Sequence, residues 1–188
     1  MQNLNFHSIP TFAPNRSGEP VEPQGVYVVV ETPMGSRNKF AYEEEFGVIE
    51  LSRTLKAGMV WPCDFGFIPQ TIGGDGDPLD VALLLDAPTF PGCLVRARLL
   101  GVIGFRKNGQ ENDRLLACPA RKSGAGTVWD TINDLEDIPR RYVREVESFL
   151  HDYNHFEGHK IELTGWRNAA SAMEAVKVSA ERWKTARK

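Results

Sequence analysis

The spacing of apolar and polar positions keeps one character over most of this chain and first changes late. From Val26 to about residue 117, β-branched and aromatic residues come in short runs separated by Gly, Pro, Asn and Asp. The first run is Val26-Tyr27-Val28-Val29-Val30; others fall at 39–42, 47–51, 66–71, 81–84, 94–105 and 113–117. Runs of this kind suit a pleated, half-buried surface. Their short and fairly regular separation predicts a closed or strongly curved antiparallel sheet. After Pro139 the period becomes helical, with Val143, Val146, Phe149 and Leu150 on one face of a segment that reaches about His155 and is closed by Gly158. A strand-like stretch at 160–163 follows. A last helix from Asn168 to about Arg187 turns Ala172, Ala175, Val176, Ala180 and Trp183 inward. A barrel of short strands followed by two packed helices is an α+β arrangement.

Residues 1–24 are rich in Pro, Asn, Ser and Gly without any period, so they read as an arm ahead of one domain over 25–188. A chain of 188 residues is long enough for that domain to hold a real core. A net charge of -3 with no Lys/Arg run argues against a nucleic acid or a membrane surface as partner. No apolar stretch is long enough to cross a bilayer, and residues 1–14 lack the pattern of a signal peptide, so a cytoplasmic location is expected. In that setting the sequon Asn15-Arg16-Ser17 carries no weight. Cys63, Cys93 and Cys118 are widely spaced, odd in number and flanked by apolar residues or prolines, which fits buried free thiols.

The segment Gly73-Gly74-Asp75-Gly76-Asp77-Pro78-Leu79-Asp80-Val81 carries the most chemistry. If it is extended, Asp75 and Asp77 point to one side. Pro78 then bends the chain and can return Asp80 toward the same point. Converging carboxylates repel one another and call for positive charge. Hard oxygen donors of this kind suit Mg²⁺ or Mn²⁺. An acidic solvated turn remains equally open on these residues alone, because Asp and Gly are ordinary turn formers. Glu31, Lys39 and Arg53 lie upstream at or near strand ends, where cations facing a carboxylate–metal cluster would neutralise a phosphoanhydride. His151, His155 and His159 recur every four residues, but Gly158 should end the helix before the third, and a solvated helix end accounts for them. Lys122-Ser123-Gly124-Ala125-Gly126 lacks the residue order of a phosphate loop.

These residues also carry a family resemblance. Asp75-Gly76-Asp77-Pro78-Leu79-Asp80, the opening strand Tyr27-Val28-Val29-Val30-Glu31-Thr32-Pro33, the stretch 61–68 and Gly165-Trp166-Arg167-Asn168-Ala169 together resemble the family I soluble inorganic pyrophosphatases. The resemblance runs from about Val26 to the end. It implies a compact five-stranded, OB-like antiparallel β-barrel with flanking α-helices, and Mg²⁺-dependent hydrolysis of pyrophosphate to two phosphates, with Mn²⁺ as an alternative ion. A homo-oligomer, a hexamer in bacterial members, is also implied. By position, Asp75 and Asp80 would hold metal, with Glu31 doing so through water. Asp77 would orient or deprotonate the attacking water. Lys39, Arg53 and Tyr153 would grip phosphate oxygens, and Arg114 could serve in place of a phosphate-binding lysine.

The resemblance also marks departures. Lys107 and Asn112 stand where the family has two further metal-binding aspartates. Ala41 replaces a glutamate, Asn154 a lysine, Phe65 a tyrosine and Trp61 another aromatic. A carboxylate exchanged for Lys107 alters the local charge by two units, each worth roughly 3 kcal/mol against a positive charge at ~5 Å and an effective dielectric of ~20. Lys107-Asn108-Gly109 reads as a hairpin tip, from which the side chain could swing into water. Asp113 has the wrong parity to replace Asn112. Two readings stay open: a working hydrolase, or a catalytically impaired paralogue that binds phosphate ligands or associates with an active relative.

Overall fold

The computed structural model describes residues 5–13, 25–120 and 127–187. The remainder of the expected arm, with Asn15-Arg16-Ser17, and the segment Lys122-Ser123-Gly124-Ala125-Gly126 lie outside the described residues. Among the described residues ten strands and two α-helices follow one another: β1 (Phe12–Ala13), β2 (Gly25–Thr32), β3 (Asn38–Glu43), β4 (Val48–Thr54), β5 (Asp64–Phe67), β6 (Asp80–Leu83), β7 (Leu94–Lys107), β8 (Gln110–Glu111), β9 (Arg114–Pro119), α1 (Arg140–Phe156), β10 (Ile161–Asn168) and α2 (Ala169–Ala186).

β2, β5, β6, β9 and β7 pair in that order, and β7 returns to β2, so five strands close into a barrel. The expected barrel is therefore present, with one departure from uniformly antiparallel pairing. β6 runs parallel to β9, with Val81 opposite Leu115 and Leu83 opposite Ala117. Parallel neighbours need a long connection rather than a hairpin, and here the chain between them builds β7 and β8. Register shifts at Val30/Thr32 and Leu99/Gly101 bend the strands around the closure. At Gly66 a Cβ would lie 1.9 Å from the Val29 carbonyl oxygen, so only glycine lets β5 approach β2 this closely.

The apolar runs gather into two large buried clusters, each covered by one of the helices. Val26, Val28, Val30, Val81, Leu83, Val102 and Leu115 form one cluster that α2 covers with Ala172 and Val176. Phe65, Leu100, Ile103, Phe105 and Leu116 form another, capped by Val146, Phe149 and Leu150 of α1. Ser179 is buried on α2, whereas Ala175 and Trp183, both expected inward, are half-buried. β3 and β4 form a separate two-stranded ribbon, with Phe6 packed between Tyr42 and Phe67 beside it. Cys63 and Cys118 are buried and Cys93 half-buried, all as free thiols, and burial pushes the Cys63 thiol far up. No described helix is long and apolar enough to cross a membrane.

Candidate active site

The acidic segment is a loop pinned at its base. Ile68 N–H donates to Leu79 O at 3.0 Å, Leu79 N–H to Thr71 Oγ1 at 3.0 Å, and Gly73 N–H to Asp77 O at 2.7 Å. Ile72 N–H also reaches Ser179 O of α2 at 3.1 Å. Inside this frame Gly76 takes φ +94°, a conformation open to glycine, and Asp77 N–H is capped by Asp75 Oδ1 at 3.2 Å. The loop thus delivers Asp75, Asp77 and, at the start of β6, Asp80 to one end of the barrel.

Other elements bring the remaining candidates to that end. Parallel pairing of β6 with β9 sets Asp80 beside Arg114, whose guanidinium lies 2.8 Å from Asp80 Oδ2. Glu31, near the end of β2, accepts the Tyr42 N–H from β3 at 2.8 Å through Oε1. Burial pushes the Glu31 carboxyl up to about 7, with Asp80 and Asp77 adding repulsion and Lys39 opposing them. Asp77 is raised for the same reasons, first by burial and then by Asp75 and Asp80, against Arg114 and Lys39. Asp80 and Lys39 thus act on both Glu31 and Asp77, and Arg114 acts on Asp77. Lys39 and Arg53 face each other as register partners in the β3–β4 ribbon. Tyr153 is held in a stack with Phe149, ring centroids 5.8 Å apart, and lies 5.5 Å from Trp61, while Lys39 Nζ sits 5.9 Å from its ring centre. Arg53 is engaged by Glu157 at the end of α1.

The departures from the resembled family take definite places. Asn154 is buried and donates to Leu150 O at 2.7 Å, which turns it away from the site. Asp113 accepts the Phe105 N–H at 3.1 Å and pairs with Arg167, so it offers nothing to the loop. Asn112 is buried and donates through Nδ2 to Asp75 Oδ2, and its Oδ1 is buried without a partner. Lys107 does not swing out. It is half-buried and feels Lys39, Arg114 and Arg53 as repulsion and Asp80 as attraction, and burial followed by that crowding lowers its ammonium below the usual lysine value.

Among the described residues no three His, Cys, Asp or Glu side chains are gathered tightly enough to hold a metal ion unaided. The donor chemistry nevertheless fits a hard divalent cation. Asp75, Asp77 and Asp80 supply oxygens, and the orphaned Asn112 Oδ1 adds another beside Asp75. Such an ion keeps waters and binds phosphate oxygens alongside one or two carboxylates. A cavity of about 400 Å³ behind the loop, reaching Arg167 and Arg182 by α2, shares Asp75, Asp80, Asn112 and Arg114 with this site.

Sequence reasoning missed Glu157 as the partner of Arg53, because 104 residues separate them and no local pattern links them. The inward set of Lys107 was readable from alternation, since Phe105 two residues earlier is fully buried.

The family model described as inorganic pyrophosphatase matches residues 28–184. The inorganic pyrophosphatase of Halalkalibacterium halodurans is 34% identical, the match covering 87% of this chain and 98% of that one. That of Saccharolobus solfataricus is 36% identical over 86% and 94% of the two chains. The crystal structure of inorganic pyrophosphatase from Thermus thermophilus superposes with a TM-score of 0.81 at 31% identity, covering 93% of this chain and 99% of that one.

Proposed function

The chain belongs to the inorganic pyrophosphatase family, and on that premise we propose that it hydrolyses inorganic pyrophosphate to two phosphates with a divalent cation, Mg²⁺ or Mn²⁺, as cofactor. The observation that carries this reading is the Arg114 guanidinium 2.8 Å from Asp80, on the loop whose Asp77 N–H is capped by Asp75 at 3.2 Å. Acids and cations facing one another across a cleft suit a substrate that needs a proton acceptor and charge neutralisation together.

Asp75 and Asp80 would hold the cation, with Asn112 Oδ1 beside Asp75 and Glu31 acting through water. Bound there, the ion would neutralise phosphate charge and lower the pKa of a coordinated water toward neutrality. Asp77 takes the proton of the attacking water as the general base. Lys39 and Arg114 hold phosphate oxygens, and Arg53 joins them by leaving or sharing Glu157. Tyr153 donates its hydroxyl from a ring kept rigid by Phe149 stacked on it and Trp61 tilted against it. Little covalent work is left for the protein, so positioning and electrostatics supply the rate.

The same reading includes a homo-oligomer, taken as a hexamer, in the cytoplasm, and an N-terminal arm over residues 1–24. The test of function is phosphate release from pyrophosphate with Mg²⁺, with Mn²⁺ and with EDTA. Release with metal that stops with EDTA supports the proposal. No release with either metal, from folded protein that binds pyrophosphate, would leave a phosphate-binding paralogue.

A further inference from the structure

We propose that Lys107 is a substrate-binding residue of this site, contacting pyrophosphate oxygens directly, so that the chain binds pyrophosphate even without a metal ion. The inference rests on the reading of the site as a pyrophosphate site.

Strand geometry supports it first. Phe105 is fully buried, Arg106 is exposed and lies 3.7 Å from Glu162, and alternation returns Lys107 to the side of Phe105. The Arg114 guanidinium lies over the Phe105 ring, 5.7 Å from its centre, while also pairing with Asp80. Lys107 is two residues further along on the same side, about 7 Å at strand rise, which directs its four-carbon stem toward the end of the barrel that holds the Arg114–Asp80 pair.

The strand end is also fixed. Asn108 and Gly109 both take positive φ, 53° and 85°, and close a two-residue hairpin in which Lys107 faces Gln110. Asn108 N–H donates to Lys160 O at 2.8 Å, and Lys160 N–H donates to Asn108 Oδ1 at 2.9 Å. Lys107 therefore projects from an anchored turn rather than a loose tip.

Charge gives the third argument. Arg53, Arg114 and Arg106 each have a carboxylate partner, whereas Lys107 has no ion-pair partner among the described residues. Holding Lys107 among Lys39, Arg53 and Arg114 costs repulsion as long as the site is empty of anions, and a ligand with several negative oxygens turns that repulsion into attraction. A tethered ammonium does on this side of the site what a bound cation does beside Asp75.

The test is titration calorimetry of the metal-free protein in EDTA with pyrophosphate, for the wild type, Lys107→Gln and Lys107→Arg. The expected result is measurable binding by the wild type, a loss of at least tenfold in Lys107→Gln, and recovery to within a few-fold in Lys107→Arg. Binding by Lys107→Gln within twofold of the wild type would overturn the role of Lys107. Metal-dependent phosphate release by a wild type that binds no pyrophosphate in EDTA would overturn the inference and leave the function standing. Neither binding nor release under any condition would sink the function itself.

Discussion

Glu31 sits where a buried strand runs into a charged site, and its carboxyl carries the clearest pH signature in the chain. Its value rises from 4.5 to about 7, so between those limits the folded protein holds a proton that the unfolded chain has released. The stability of metal-free protein therefore falls as pH rises from ~4.5 to ~7, by roughly 1–3 kcal/mol from this group. Glu31→Gln should flatten the slope in urea titrations followed across that range; an unchanged slope would contradict the account of Glu31. The neighbouring substitutions differ in how far the sequence revealed them. Asp75, Asp77 and Asp80 were visible as a local cluster and Lys39 and Arg53 as cations at strand ends, whereas Arg114 stood out only through the family resemblance. Whether Asn154 faces the site was not visible. Its neighbour Tyr153 is turned toward the aromatic stack, and only packing of α1 settles that Asn154 bonds back to Leu150.

At the level of elements, turn chemistry and alternation carried most of the fold. The closing Asn108-Gly109 hairpin, the helix ended near Gly158 and the strand runs were all local signals. The parallel pairing of β6 with β9 was not legible, because a short apolar strand looks the same beside either kind of neighbour. β10 also runs on to Asn168, past the expected end, through an irregularity at Gly165 with φ +108°. That extension depends on the free edge of β7 rather than on local propensity. Gly66 tests the barrel closure: Gly66→Ala would push a methyl into the Val29 carbonyl and should cost several kcal/mol in chemical denaturation, far beyond a surface change. A loss under 1 kcal/mol would mean that β2 and β5 do not meet as described.

Taken whole, the molecule keeps large apolar side chains in water. Phe46, Val48 and Leu51 of the ribbon region are exposed, as are Phe90 and Val128. Solvent-exposed apolar groups in that number fit the proposed assembly into an oligomer, and light scattering coupled to gel filtration should return a mass several times 21.0 kDa. A monomer at micromolar concentration would contradict that part of the proposal.

On this reading the remaining carboxylate loop still performs hydrolysis despite Lys107 and Asn112. This is tested most directly by the rate of phosphate release from magnesium pyrophosphate by the wild type and by Asp77→Asn, each first shown to be folded and to bind pyrophosphate. The account predicts steady release by the wild type and a fall of at least ~100-fold in kcat for Asp77→Asn, the scale expected when a general base is lost. Equal rates in the two proteins would contradict it, because Asp77 would then be no part of the reaction.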